Sequence, residues 1–238
     1  MLGTFYGIGV GPGDPELLTL KAVRVLNQVD HVFAAASSKN DYSLALDIAR
    51  CHLRPATPVD CLNFPMTFEP EHLETAWQAN CETVRDLLVA GKDVAFLTLG
   101  DPMTFSTFNY LLRKVRRQLP RARVQVIPGI TSFQAAAACA TIPLAEGEET
   151  ITVISGAKGG ERLREVIAVS DNVVLMKAYK QFPQILSHIE ALGLEHKCCF
   201  ISRCGLEGEV VETDFGRMSA MNPHYLSLMI LKKGGISV

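Results

Sequence analysis

The sequence predicts an α/β protein made of two α/β domains, and three observations carry that reading. Up to Ala140, short apolar runs alternate with longer amphipathic stretches, the βαβα rhythm of a mainly parallel sheet with helices on both faces. From Pro143 to Glu149 a Glu-rich stretch containing Gly147 breaks the helical pattern. Beyond it, strand-like runs outnumber helical ones, so the second domain is richer in strand, with some antiparallel pairing at its end. The domains are accordingly expected at 1–142 and 149–238.

The elements follow in order. Phe5 to Val10 is a strand of apolar residues and glycine, and Pro15 to Leu26 a helix opened by the acids Asp14 and Glu16, which the helix dipole favours at that end. His31 to Ala36 is the next strand, Ser43 to Cys51 a helix and Thr57 to Leu62 extended. Glu71 to Ala90 is a long amphipathic helix, closed by Gly91, the residue type that best adopts the left-handed conformation after a helix. Asp93 to Leu99 is a buried strand, Phe105 to Arg117 a helix, Arg123 to Ile127 a strand and Ser132 to Ala140 an alanine-rich helix. In the second domain Thr150 to Ser155, Asn172 to Met176, Cys198 to Ser202, Gly208 to Thr213 and Tyr225 to Leu231 are strands, with helices at Gly160 to Ala168 and Phe182 to Ala191.

Composition narrows the function classes. Of 238 residues, 48% are hydrophobic and 20% charged, the profile of a globular chain. A net charge of -2 lacks the basic surplus that a nucleic-acid partner requires; the basic run from Arg113 to Arg123 is a solvated helix face. No apolar run approaches the roughly 20 residues that span a bilayer, and the start has neither the basic nor the apolar segment of a secretory signal. The seven cysteines are an odd set without a Cys-x-x-Cys pair, and the neighbours Cys198 and Cys199 face opposite ways in a strand. Free, mostly buried thiols, no metal site and a cytoplasmic location are therefore expected. The six histidines show no ligand spacing; only His224, before the last strand, merits a test, and a structural role is favoured for it.

Three loops carry the chemistry. Gly7-Ile8-Gly9-Val10-Gly11-Pro12-Gly13-Asp14-Pro15 follows the first strand. It resembles a dinucleotide loop, yet its third glycine is misplaced, and Pro12 and Pro15 remove amide donors that a phosphate cradle needs. A nicotinamide-dependent oxidoreductase remains an alternative at this point, as does a loop with no ligand. Leu97-Thr98-Leu99-Gly100-Asp101-Pro102-Met103-Thr104-Phe105 lies at the carboxyl end of a strand, where ligands of open α/β sheets gather. Gly100 allows close backbone approach and Asp101 is an acceptor for hydroxyl or amine groups or an N-cap. Ile127-Pro128-Gly129-Ile130-Thr131-Ser132-Phe133 again ends a strand and opens a helix.

The order and spacing of these loops resemble the class III S-adenosylmethionine methyltransferases, the tetrapyrrole methylase family, over almost the full chain. The motifs that carry the resemblance run from Gly7 to Ala22, Leu99 to Pro102 and Pro128 to Phe133. Within the family the chain is similar to the enzymes that methylate C-20 of precorrin-2 or cobalt-factor II, through Asp41-Tyr42-Ser43-Leu44-Ala45-Leu46, Asn63-Phe64-Pro65-Met66, Phe105-Ser106-Thr107, Leu175-Met176-Lys177-Ala178-Tyr179 and Tyr225-Leu226-Ser227. Where relatives tend to carry Glu-Ala-Thr, this chain has Arg203-Cys204-Gly205, which leaves backbone rather than side-chain contacts expected there.

The resemblance implies S-adenosylmethionine as methyl donor, S-adenosylhomocysteine as product, and a donor site in the cleft between the two domains. The matching positions are Pro12, Leu99, Gly100, Asp101, Thr104, Thr131, Ser132, Met176 and Cys204. It also implies a tetrapyrrole in a trough lined by Gly9, Gly11 and Gly13, a homodimer, and methylation of C-20 or, alternatively, of another tetrapyrrole carbon. A sulfonium donor is already activated, so no covalent protein nucleophile and no catalytic metal are expected. Asp101, Asp14 or a substrate carboxylate is the candidate base. The acceptor's carboxylates call for a basic rim, for which Lys21, Lys39, Arg113, Lys177 and Lys180 are candidates, with Lys39 and Lys177 preferred beside strand ends.

Overall fold

A computed structural model describes residues 1–37, 43–65 and 69–236. Lys39, Asp41, Tyr42 and Met66, singled out above, lie outside the described residues. The chain divides into two compact units, Met1–Thr131 and Ser132–Val238.

The first unit holds strands β1 (Thr4–Gly9), β2 (His31–Ser37), β3 (Val59–Phe64), β4 (Val94–Thr98) and β5 (Arg123–Ile127), and helices α1 (Leu20–Leu26), α2 (Leu44–Ala49), α3 (Pro70–Val89) and α4 (Phe108–Gln118). Its sheet has the order β3-β2-β4-β1-β5 and every pairing is parallel. Alternation sorts the strand residues to two faces: Ile8, Ala95 and Leu97 join a core with Val25, Leu26 and Ile48, whereas Phe5, Val94 and Phe96 join one with Leu88, Phe108 and Leu111. A sheet buried on both sides explains why its strands read as continuous apolar runs. Register fixes what matters for function: Ile8 pairs with Leu97 on one side and with Ile127 on the other, so the three motif loops leave the same edge at the same level.

Capping residues set the helix limits. The expected helix from Pro15 to Leu26 is two elements, a 3-10 turn over Pro15–Leu17 and α1. Leu18 is extended, and the Thr19 hydroxyl accepts from Ala22 N at 3.2 Å, starting the helix afresh. Likewise α4 begins at Phe108 rather than Phe105, because Phe105 has φ 50° and Ser106 Oγ accepts from Phe108 N at 3.1 Å. Gly91, with φ 81°, closes α3 as expected; its N–H donates to Leu88 O and that of Lys92 to Leu87 O, a Schellman end.

The second unit holds α5 (Ser132–Ala140), β6 (Ile151–Ser155), α6 (Leu163–Val169), β7 (Asn172–Met176), α7 (Phe182–Glu190), β8 (Cys198–Ser202), β9 (Val210–Glu212), α8 (Phe215–Met218) and β10 (Ser227–Lys232). Its sheet runs β6-β7-β10-β8-β9, parallel between β6 and β7 and antiparallel elsewhere. Helix α8 was not expected; Asp214 opens it by accepting from Gly216 N and Arg217 N. The division at Thr131 differs from the boundary expected at Pro143 to Glu149, and two contacts explain it. Ala136, Ala137 and Ala140 of α5 pack on Cys199, Ile201, Leu228 and Ile230, and the buried Lys232 ammonium donates to Pro143 O at 2.8 Å and lies 3.4 Å from Glu149 Oε2. The Glu-rich stretch therefore neutralises a buried charge of the second sheet. Cys198 and Cys199 do enter opposite cores. Among the described residues no helix is long and apolar enough to cross a membrane.

Gly7 leaves the first core no slack, since a Cβ there would sit 2.3 Å from Phe108 Cζ. Gly7→Ala is expected to cost about 1–3 kcal/mol through overpacking, read as a lower urea midpoint for the first unit.

Candidate functional site

The first two loops of the first unit meet through backbone hydrogen bonds. Past β1 and β4, Val10 N donates to Thr98 O at 3.0 Å, Gly11 N to Gly100 O at 3.3 Å and Gly100 N to Gly11 O at 2.8 Å. This two-residue antiparallel bridge requires φ 78° at Gly11 and 68° at Gly100, values that glycine adopts freely. A Cβ on Gly9 would stand 2.5 Å from Gly100 O, and one on Gly129 would stand 2.1 Å from the same oxygen and 2.8 Å from Gly9 C. Gly9 and Gly129 thus close on the Gly100 carbonyl in a seam that leaves neither of them room for a side chain.

Asp101 fastens the seam. Its Oδ1 accepts from Met103 N at 2.9 Å and Thr104 Oγ1 at 3.3 Å, while Oδ2 accepts from Gly129 N at 3.1 Å. Oδ1 thus ties its own loop and Oδ2 ties that loop to the third, which suits a positioning role better than proton abstraction. Thr98 Oγ1 and Ser106 Oγ lie 2.8 Å apart, and Asn109 Nδ2 donates to Pro102 O at 3.2 Å. Leu99, Asp101 and Thr104 are half-buried, whereas Met103 and Phe105 are 55% and 53% exposed. Phe105 is also left-handed, a conformation that for a bulky side chain marks local strain. Gly9, Gly11, Pro12 and Gly13 are buried. Asp14 is half-buried and caps the 3-10 turn, its Oδ1 accepting from Glu16 N at 2.8 Å.

In the second unit Ser132 Oγ lies 3.7 Å from Met176 Sδ, bringing together two of the residues singled out above; Thr131, also among them, is half-exposed. Two strand ends there carry left-handed residues that are not glycine: Lys177, φ 60°, after β7 and Arg203, φ 53°, after β8. Their neighbours hold them, Gly156 N donating to Met176 O at 2.6 Å, Ala178 N to Ser227 O at 3.0 Å and Arg203 N to Leu226 O at 2.9 Å. Such strain, on the order of 1–3 kcal/mol per residue, persists where the surroundings over-determine it and concentrates at functional sites. Lys177 is half-buried. Lys180 lies over the Tyr179 ring, Arg113 lies over that of Tyr110, and Lys21 is exposed on α1.

Sequence spacing gave no hint of a further cluster, in which Cys139, Cys204 and Glu209 place their ligand atoms within 4.8 Å of one another. Cys139 is on α5 and the other two flank the turn between β8 and β9, so no motif spacing links them.

The sequence profile of the Tetrapyrrole (Corrin/Porphyrin) Methylases matches residues 4–218. The chain belongs to the tetrapyrrole methylases. The cobalt-precorrin-2 C(20)-methyltransferase of Salmonella typhimurium is 36% identical over 88% of this methylase and 87% of the relative. The precorrin-2 C(20)-methyltransferase of Sinorhizobium sp. is 29% identical over 97% and 95%. The fold is shared with a Thermus thermophilus uroporphyrin-III C-methyltransferase solved with S-adenosylhomocysteine, at TM-score 0.70 and 23% identity over 97% and 92% of the two chains.

His224 of this methylase is set structurally, as favoured from sequence. Its Nδ1 accepts from Leu226 N at 3.2 Å, and its carbonyl accepts from Ser227 Oγ at 2.7 Å. Burial, and then the Arg203 charge, hold the imidazole below its ordinary 6.5, so the neutral form belongs to the fold. The unfolded chain takes up the proton first as pH falls, so this contribution to stability is present above about 6.5 and is lost on acidification through the lower folded value. NMR titration of the His224 ring should give a midpoint below 6.5; a midpoint at or above it contradicts this role.

Proposed function

We propose that this tetrapyrrole methylase transfers a methyl group from S-adenosylmethionine to C-20 of a precorrin-2-type macrocycle, with cobalt-precorrin-2 as the favoured acceptor. The observation that carries the proposal is the match to the two C(20)-methyltransferases across nearly all of both chains. The cobalt-containing acceptor is preferred because the relative named for it is 36% identical, against 29% for the relative named for precorrin-2. Methylation at another tetrapyrrole carbon is the alternative.

The residues present suit the donor. As donor contacts we propose Pro12, Leu99, Gly100, Asp101, Thr104, Thr131, Ser132 and Met176, and the backbone alone at Cys204. The exposed Met103 and Phe105 flank the polar groups of Asp101 and Thr104, a pairing of apolar surface and hydrogen-bonding groups that fits an adenosine joined to a thioether. When bound, S-adenosylmethionine supplies an activated methyl on a sulfonium. What the chain contributes is position, worth about 7–11 kcal/mol at best when two reactants are held in line. Asp101 keeps the loops rigid, and Lys177 offers a cation to the acceptor's carboxylates. The proton lost from C-20 passes to Asp14 or to a substrate carboxylate. A cytoplasmic homodimer belongs to the same proposal.

Anaerobic incubation with S-adenosylmethionine and either cobalt-precorrin-2 or precorrin-2, followed by mass and carbon-13 analysis, tests it. One methyl at C-20 is expected, faster with the cobalt form. A methyl at another carbon transfers the proposal to the alternative, and no methylation of either removes the assigned acceptor.

A further inference from the structure

We infer that Cys139, Cys204 and Glu209 form a binding site for a divalent zinc-type cation on the second unit. The three side chains come from separate segments, Cys139 from the last turn of α5 and the others from either side of the turn that joins β8 to β9. Their ligand atoms all lie within 4.8 Å of one another, and Cys139 Sγ is 3.0 Å from Glu209 Oε1. Zn–S bonds of about 2.3 Å and Zn–O bonds of about 2.0 Å in a tetrahedron put ligand atoms about 3.5–3.8 Å apart. Closing the cluster onto an ion therefore asks for shifts of about an ångström or less.

The turn is built to present these groups. Arg203, Gly205 and Gly208 are left-handed, at φ 53°, 74° and 78°. Leu206 N donates to Arg203 O at 2.9 Å and Glu209 N to Leu206 O at 3.1 Å. Gly205 N donates to Glu209 Oε2 at 2.7 Å, which aims the other carboxylate oxygen at the thiols, as outer hydrogen bonds orient the ligands of metal sites. Two thiols with one carboxylate select a borderline-soft dication over magnesium or calcium. Both thiols are half-buried while Glu209 is exposed.

Burial, reinforced by Glu209, pushes the Cys139 thiol up to about 12, and burial followed by Glu209 pushes Cys204 up to about 11. Loading displaces the thiol protons: two thiols and one dication give a dithiolate complex and two protons released to buffer. Nothing is oxidised or reduced. The bound ion would tie α5 to the β8–β9 turn.

The test uses the full chain, treated with chelator and kept reduced. Zinc is titrated in competition with a chromophoric chelator, and cobalt(II) is added separately to read thiolate-to-metal charge-transfer absorption. One ion per chain is expected, bound below micromolar, with cobalt absorption of the strength of two thiolates. Cys139→Ser and Cys204→Ser should each weaken binding at least a hundredfold and Glu209→Gln about tenfold, whereas Cys51→Ser in the first unit leaves it unchanged. Absence of stoichiometric zinc binding by the reduced protein overturns the inference. So does binding that survives both serine variants, or a cobalt complex without thiolate absorption. The cobalt readout on the unaltered chain decides the matter even where a serine variant does not fold, and it is independent of whether the chain methylates a tetrapyrrole.

Discussion

Gly100 O stands where both Gly9 and Gly129 would need a Cβ to be absent, and the first unit is organised around that approach. Three parallel strands end level because Ile8 pairs with both Leu97 and Ile127. Their loops would separate if Gly9 or Gly129 carried a side chain at the crossing. Backbone meeting backbone brings hydrogen-bonding groups together at high density, and Asp101 completes the closure by accepting from both the second and the third loop. A carboxylate hydrogen-bonded to backbone N–H groups is a strong tie. With both oxygens so engaged, Asp101 is better placed to hold the loops than to abstract a proton.

The second unit solves a similar problem with other means. Its strand ends carry Lys177 and Arg203 in the left-handed region rather than glycines, and each is held by hydrogen bonds from adjoining backbone. A lysine turned this way beside Met176 keeps its cationic side chain at the end of a buried strand instead of on a helix surface. Lys232 shows the opposite treatment of charge: it is buried and compensated by Pro143 O and Glu149. That makes the Glu-rich stretch from Pro143 to Glu149 part of this unit rather than a linker between domains.

Much of the architecture was legible from patterning. The strands Arg123–Ile127, Asn172–Met176 and Cys198–Ser202 and the helix Ser132–Ala140 lie at the expected limits, because apolar runs of strand length and an alanine-rich stretch leave few alternatives. What patterning missed depends on single hydrogen bonds or on tertiary contact. Thr19 restarts a helix that looked continuous from Pro15, Ser106 delays α4, and Asp214 nucleates a four-residue helix. The alanines of α5 say that the helix is packed closely, not against which sheet. The glycine-rich loop was readable as a place of close approach; that its partners are Gly100 and Gly129 follows only from register. The grouping of Cys139 with Cys204 and Glu209 had no sequence signal, since it depends on a helix end meeting a turn more than sixty positions away.

If the seam and its carboxylate tie hold the backbone proposed to bind the donor, weakening the tie should be felt in donor affinity before it is felt in the fold. The measurement is calorimetric titration of S-adenosylhomocysteine into the protein and its Asp101→Asn variant, with circular dichroism to follow the fold. The amide keeps the shape but turns an N–H toward donors that had faced an oxygen. The account predicts about a tenfold loss of affinity, near 1.4 kcal/mol, with the spectrum retained. Equal affinity for the two proteins would contradict it.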